Sequence, residues 1–531
     1  MNEFFNYYTS LCAGVNPNSL LSSDPFLIAV KQMFLIQLQQ VVYYIEKLKD
    51  LKVDMSEYTD KVIDFISIII NNLDFRKESF FFIIEDLYNN KLSLEKLYIS
   101  SCNDRNLNPV LLKDYQYNLS SKINILKALN EYEKNIHLLE LKLEKNKKAL
   151  YEIIINLVLN ACNCLIELKN YGVNANDAKD KVLKLLNCSN NYNLSEDELV
   201  SVIRDFSNCN YYIMKLLYET IISKFGPVDK KRVLLSPIEG KAILVCGSSF
   251  LELEKLLIAV KDLNINVYTH NEMINAFKYK KFDLYSNLIG NYQNSDNSLT
   301  LDFASFPGPI YISRNSVYKT DIIRGQIYTD AKYPAFGIGK IENSDFSPII
   351  QYALNAKSFD KNFSPVYKEI GYFEKDIENL ISDITYKYNN GEINRILFVG
   401  IIDAFILDDK YIKSLLNDSP TNDYIISFSY KVNRKNLYYI NCCYDFYLLY
   451  RLIEILTNKL VDAQSRLGIF ISGCNPVVLS HIFNLLFLDV RNIFIESGCN
   501  NVISPNIFSS LFDLFPINKF TSPLEDIEKI K

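Results

Sequence analysis

Across the first 225 residues, apolar positions recur at intervals of three and four. Beyond them they gather in short runs that alternate with helical stretches. From Phe26 to about Leu48 the set Phe26, Leu27, Val30, Met33, Phe34, Ile36, Leu38 and Val41 predicts one amphipathic helix. Residues 56–72 predict a second. In FFFIIEDLYN (80–89) helix and strand readings compete. Lys122 to Leu168 holds neither Gly nor Pro, and Ile125, Leu126, Leu129, Tyr132, Ile136, Leu139 and Leu143 keep helical spacing, so one or two long helices of a bundle are expected. Ser195 and Glu198 form a capping box for a further helix, and Tyr211–Ile222 closes the bundle before Phe225-Gly226-Pro227 breaks it.

From Lys241 the pattern changes. KAILVC (241–246) is a strand, Leu251–Val260 a helix, and Val267–Thr269 a strand that runs into His270 and Glu272. Pro309–Ser313 and Ile327–Thr329 follow as strands, then a helix to about residue 356 and a linker at 358–368. Later strands are expected at Ile393–Val399, Tyr424–Ser429, Gly468–Ser472 and Arg491–Glu496, with helices near 409–416, 444–458, 476–488 and 504–514. Ser522, Pro523 and Glu525 mark a short terminal helix with a possible capping box. Alternating strand and helix implies a mostly parallel sheet covered on both faces. The expected fold is a multidomain α plus α/β chain: a helical bundle at 1–225, then two Rossmann-like, open, mostly parallel α/β domains at 226–365 and 366–531. Polar residues at strand ends within 241–316 place a cleft there.

Composition narrows the function. A chain of 531 residues exceeds one ordinary core. With 49% hydrophobic and 22% charged residues it suits a compact protein, and a net charge of −5 gives no reason to expect nucleic acid or an acidic membrane as partner. The beginning of the chain lacks a basic segment followed by an apolar one, and the apolar helices are interrupted by charge or Asn, so neither a secretory signal nor a membrane span is expected. Eleven scattered cysteines fit free thiols in the cytoplasm or another reducing compartment. Cys162 and Cys164 stand two apart on a predicted helix, where side chains diverge, and with Cys188 and Cys209 are read as packing residues. Lys230-Lys231-Arg232 reads as a solvated linker. Gly247-Ser248-Ser249 before a helix is the best anion-binding turn, though it is neither a dinucleotide fingerprint nor a Walker A loop. His137, His270 and His481 support no triad.

Several segments resemble the hybrid-cluster protein family, also called hydroxylamine reductases or prismane proteins. They are Gly226-Pro227-Val228, EGKAILVCGSS from Glu239, NVYTHNEM at 266–273, Leu288-Ile289-Gly290-Asn291-Tyr292, FPGPIYISRNS at 306–316, DFSPII at 345–350, and LDVRNI, ISPN and EDI towards the end. The resemblance covers most of 225–531. The bundle fits by order and size. It implies an iron–sulfur cluster near the N-terminus and a hybrid iron–sulfur–oxygen cluster between domains, the latter held by one His, two Glu and four Cys.

Carried over residue by residue, that ligand set is mostly gone. Ser248 stands at the histidine position, Ser316, Ile402 and Tyr430 at three of the cysteines, and Asn475 at the second glutamate; Glu272 and Cys443 are kept. A lysine near the second glutamate becomes Val477. At the N-terminal cluster Asn2, Phe4 and Phe5 occupy the region of the first cysteine pair, and only Cys12 precedes Cys102. Removing thiolates removes the bonds that hold iron. The resemblance therefore implies a catalytically inactive, cluster-free relative, with no catalytic, cofactor-binding or metal residues, acting as a scaffold that binds another protein or itself. The alternative is an altered oxidoreductase with a reduced metal or thiol site, in which His270, Glu272 and Cys443, with Cys442 or Cys474, hold a single zinc or iron. A small-molecule binder using the Gly247 turn is a third reading.

Overall fold

A computed structural model describes residues 25–70, 77–112, 118–129, 144–191, 193–292, 299–313, 324–334, 336–402, 409–428, 433–440, 446–472, 477–496 and 505–530. The bundle begins with α1 (Pro25–Asp50), α2 (Ser56–Ile70) and α3 (Lys77–Asn103). Along α1, Phe34, Leu38, Val41, Val42, Ile45 and Leu48 are buried, which is the expected three-and-four stripe. The ambiguous FFFIIEDLYN segment lies in α3, with Phe80, Ile83, Ile84 and Leu87 facing the core and Phe82 facing solvent. That spacing has period 3.6 rather than two, and it decides for helix.

After a helical run at 122–129 come α4 (Lys145–Asn170), α5 (Asn176–Cys188) and α6 (Glu196–Phe225). Part of the predicted long helix, 130–143 with His137, lies outside the described residues. α4 is long and apolar enough to cross a membrane, but most of it is buried among neighbouring elements. The predicted capping box of α6 is formed: Ser195 Oγ accepts from the Glu198 N–H (3.2 Å) and the Glu198 carboxylate accepts from the Ser195 N–H (2.7 Å).

The first sheet has eight strands in the order β7-β6-β5-β2-β3-β4-β1-β8. They are β1 (Lys231–Leu234), β2 (Lys241–Cys246), β3 (Ile265–Thr269), β4 (Leu288–Asn291), β5 (Ile310–Ile312), β6 (Ile327–Thr329), β7 (Gly339–Lys340) and β8 (Tyr367–Ile370). All pairings are parallel except β8 against β1. Helices α7 (Phe250–Ala259), α8 (Leu299–Ser305) and α9 (Ser347–Asn355) belong to this domain.

Two expectations differ from what is observed. Lys230-Lys231-Arg232 is solvated at Lys230 and Arg232, as expected, but it is not a linker. Lys231 and Arg232 begin β1, where Lys231 pairs with Asp283 (2.7 Å) and Arg232 lies over the Tyr367 ring (4.5 Å). The end of the expected linker at 358–368 is also a strand, β8, which lies past residue 365 yet closes the first sheet. Its first three residues are exposed, so it carries no apolar signal; its pairing with β1 comes from the backbone.

The second sheet has six parallel strands in the order β11-β10-β9-β12-β13-β14. They are β9 (Arg395–Ile402), β10 (Asp423–Ser427), β11 (Leu437–Tyr439), β12 (Leu467–Ser472), β13 (Asn492–Ile495) and β14 (Ile517–Lys519). Around them lie α10 (Glu374–Asn389), α11 (Asp409–Asp418), α12 (Phe446–Lys459), α13 (Val477–Phe487), α14 (Pro505–Leu514) and α15 (Pro523–Glu528). α15 starts after Ser522 as expected, but no Ser522 side-chain cap forms. Asp526 instead accepts from the Thr521 N–H (2.8 Å) and hydroxyl (2.6 Å). The bundle packs on both α/β domains. Asn210 of α6 reaches Asn484 of α13 in the second (2.6 Å), and Glu167 of α4 accepts from Ser249 before α7 in the first (3.1 Å).

Candidate functional site

The polar strand ends that predict a cleft within 241–316 are the carboxyl ends of β2, β3, β4 and β5. Two backbone features shape it. Gly247 follows β2 at φ 110°, a left-handed conformation that glycine adopts without strain. Gly308 passes so close to β2 that a Cβ there would overlap the Ala242 carbonyl oxygen. The FPGPI segment therefore needs its glycine to enter β5 beside β2.

β2 and β3 pair with Val245 opposite Thr269. Ser248 and Glu272 each lie three residues past that pair, so the two family ligand positions emerge at the same sheet edge. Both residues are exposed. Glu272 lies in the first turn of the 3-10 helix Asn271–Lys278. Ile402 ends β9 of the second sheet, its backbone in register with Ser472. Ser316, Tyr430, Cys443 and Asn475 lie outside the described residues, as do Cys12, Cys442 and Cys474.

Beneath this exposed rim the edge is polar and closed. His270 is fully buried; its Nε2 lies 3.2 Å from Asp302 Oδ2 of α8, and its ring packs 5.2 Å from that of Phe303. Its burial and its Asp302 contact make it a hydrogen-bonded core histidine. The Thr269 hydroxyl donates to Asn291 Oδ1 (2.9 Å). Asn291 Nδ2 and Ser313 Oγ, both buried, have no hydrogen-bond partner among the described residues. Cys246, at the end of β2, packs with Leu244, Tyr268, Phe303 and Phe306, and burial pushes its thiol well above its usual range. Such a thiol is a poor source of thiolate.

The Gly247-Ser248-Ser249 turn has an acidic neighbour from within the chain. Ser249 Oγ donates to Glu167 Oε1 of α4 (3.1 Å), so a side chain of this chain already stands before α7. Burial raises the Glu167 carboxyl above the usual carboxylate range, hydrogen bonds from Ser249 and Asn170 pull it down, and Glu252 and Asp330 push it up again. Sequence reading missed both Asp302 and Glu167. Each meets its partner only through the tertiary fold, 32 and 82 residues away in the chain.

At the three family positions among the described residues, the donor set does not suit an iron–sulfur cluster. At the described family positions it offers a hydroxyl (Ser248), one carboxylate (Glu272) and hydrocarbon (Ile402), and the thiol at the first sheet edge is sealed in the apolar core. Among the described residues, no group of three or more His, Cys, Asp or Glu side chains could hold a metal ion. His270 Nε2 faces Asp302, and the thiols of the single-metal arrangement considered above, Cys443 with Cys442 or Cys474, lie outside the described residues.

Relatives give the context. The Prismane/CO dehydrogenase family matches residues 28–484. The chain is 27% identical over 336 residues to a hydroxylamine reductase of Acidiphilium cryptum (strain JF-5), covering 60% of each chain. It is 28% identical over 242 residues to a hydroxylamine reductase of Acidithiobacillus ferridurans, covering 45% of this chain and 44% of that one. The alignments thus span about half the length of these relatives. A second Acidithiobacillus hydroxylamine reductase, from A. ferrooxidans (strain ATCC 53993 / BNL-5-31), matches at 28% over 242 residues. With the match extending from the bundle to α13, the chain belongs to the Prismane/CO dehydrogenase family.

Proposed function

We propose that this protein is a cluster-free, catalytically inactive relative of hydroxylamine reductases. It acts as a structural or protein-interaction scaffold in a reducing intracellular compartment, with another protein or a second copy of itself as partner. One observation carries the reading: five family ligand positions hold Ser248, Ser316, Ile402, Tyr430 and Asn475, while the backbone that once presented them keeps demanding features such as Gly308. Two hydroxyl side chains, a hydrocarbon, a phenol and an amide do not replace a histidine, three thiolates and a carboxylate as iron ligands.

The test is iron and acid-labile sulfide analysis of protein purified without oxygen, with an assay of hydroxylamine reduction by a reduced viologen dye. The expected outcome is no stoichiometric iron or sulfide and no turnover above the protein-free rate. Several irons per chain, or turnover that depends on Glu272, would overturn the reading. One tightly bound zinc or iron with activity would replace it by the altered oxidoreductase. Light scattering on a sizing column separates a self-associating scaffold from a monomer that needs another partner.

A further inference from the structure

The bundle contains one helix–turn–helix unit twice. Residues 46–66 and 166–186 align without a gap at a spacing of 120, with Leu48/Leu168, Lys49/Lys169, Val53/Val173, Asp60/Asp180, Lys61/Lys181 and Val62/Val182 identical. The backbones agree. Lys52 and Gly172 both take left-handed turns (φ 60° and 80°), and the N–H groups of Val53 and Val173 return to the carbonyls of Leu48 and Leu168 at 3.0 and 2.9 Å. Packing is reciprocal, α1 on α5 and α2 on α4, as a local two-fold requires.

The units differ at Lys179 and its equivalent, Thr59. Lys179 is 4% exposed. Its Nζ donates to Asp60 Oδ1 (2.6 Å) of the other unit and to Asn174 Oδ1 (2.9 Å) and Asn176 Oδ1 (3.4 Å) of its own. Adding or subtracting 120 turns that acceptor set into Asp180, Asp54 and Ser56. All three, with Thr59, line a cleft of about 390 Å³. Threonine is too short to place a donor where Lys179 places its ammonium. Thr59 is itself only 3% exposed, and its Oγ1 has no hydrogen-bond partner among the described residues. The cleft walls carry four carboxylates (Glu46, Asp50, Asp54, Asp180) against two ammonium groups, Lys49 and Lys184. Lys49 bridges Glu46 (3.2 Å) and Asp180 (2.7 Å), which leaves the acidic excess in place.

We propose that this cleft binds a small primary alkylamine. Its ammonium takes the place that Lys179 Nζ fills in the other unit, ringed by Asp54, Ser56, Thr59 and Asp180, and its alkyl stem lies along Val53 and Met55. Charge-assisted N–H donation to carboxylate and hydroxyl oxygens supplies the selectivity.

Calorimetric titration of the full chain tests this with n-butylammonium, and with tetramethylammonium, which has the charge but no N–H. n-Butylammonium should bind at one site at least about tenfold more tightly than tetramethylammonium. Thr59→Lys should abolish binding by filling the cleft from within, as Lys179 does, without lowering Tm. Asp54→Asn, which keeps an oxygen to accept from the Ser56 N–H at the start of α2 as Asp54 does (3.0 Å), should weaken binding several-fold. Equal affinity for the two cations, binding unchanged in folded Thr59→Lys, or no saturation by ~10 mM amine would overturn the proposal. Should Thr59→Lys fail to fold, Asp54→Asn decides alone: unchanged affinity there also sinks it.

Discussion

The bundle meets its two α/β domains with opposite chemistry. Against the first it buries an acid: Glu167 of α4 accepts from Ser249 before α7, and desolvation holds its carboxyl above the ordinary range. Against the second lies a buried base. His481 of α13 stacks on Phe446 (3.3 Å between ring centres, 5° between planes), and its Nδ1 is hydrogen-bonded to the Tyr450 hydroxyl. Asn484 donates to that same hydroxyl (3.3 Å) and accepts from Asn210 of α6 (2.6 Å). Burial lowers the His481 pKa to about 3. Both residues are favoured in their neutral forms, so they respond to pH with opposite sign. Acid strains the interface of the second α/β domain, and alkali strains that of the first.

The largest effect should come from His481→Ala. It removes a stacked ring and leaves the Tyr450 hydroxyl without its acceptor in a closed site; truncation of a buried aromatic costs about 3 kcal/mol or more. Urea unfolding by circular dichroism reads this, and a loss below about 1 kcal/mol would show that the network is not the anchor of this interface.

The acid limb comes next. His481 is protonated in the unfolded chain below the ordinary histidine value of 6.5 but in the folded chain only near 3. Its contribution is complete above pH 6.5 and is lost as pH falls towards 3, by up to ~1.4 kcal/mol per pH unit. His481→Phe keeps a ring and has nothing to protonate. Its stability between pH 4 and 6.5 should therefore fall less steeply than that of the wild type. Parallel profiles would remove His481 from the account.

On the other side, Glu167→Gln keeps an oxygen for Ser249 to donate to and cannot ionise. The raised Glu167 pKa gives stability that is full below the unfolded carboxylate range and is lost as pH rises through the folded value. The variant should gain on the order of 1 kcal/mol at pH 8 relative to wild type, with little change at pH 4. A gain equal at both pH values would mean that packing, not ionisation, sets the difference.

How much of this was readable beforehand follows from where each interaction lives in the chain. The α1 stripe, the Ser195–Glu198 box and the β2–α7–β3 order are local patterns, and they appear where the sequence places them. β8 was not readable because its exposed residues Tyr367, Lys368 and Glu369 carry no alternation and their partners in β1 lie more than 130 residues upstream. The Asp302 partner of His270 and the Glu167 partner of Ser249 were hidden for the same reason. The repeat was legible in principle, since Lys49, Val53, Asp60, Lys61 and Val62 recur 120 residues on. Yet the position that matters, Thr59 against Lys179, is a difference, and only the acceptors around Lys179 give it meaning. At the site, the resemblance named the seven positions. The structure then showed that Ser248 and Glu272 leave one sheet edge together and are exposed.

The smallest expected effect sharpens the comparison most. Ser249→Ala deletes one donor to Glu167 and leaves the desolvation and the repulsion from Glu252 and Asp330 intact. Because that hydrogen bond favours the ionised carboxylate, its loss should raise the Glu167 pKa further. The midpoint of the alkaline stability loss then moves to higher pH, while stability at pH 8 drops by about 0.5 kcal/mol from the carboxylate left with one donor fewer. Thermal melts of wild type, Ser249→Ala, Glu167→Gln and the double variant from pH 4 to 9 would resolve the two parts. If ionisation of Glu167 is the source, Ser249→Ala should have little effect on the pH slope in the Glu167→Gln background. A slope change that persists in the double variant would place the pH response outside Glu167, and the acid at this interface would no longer be the counterpart of His481.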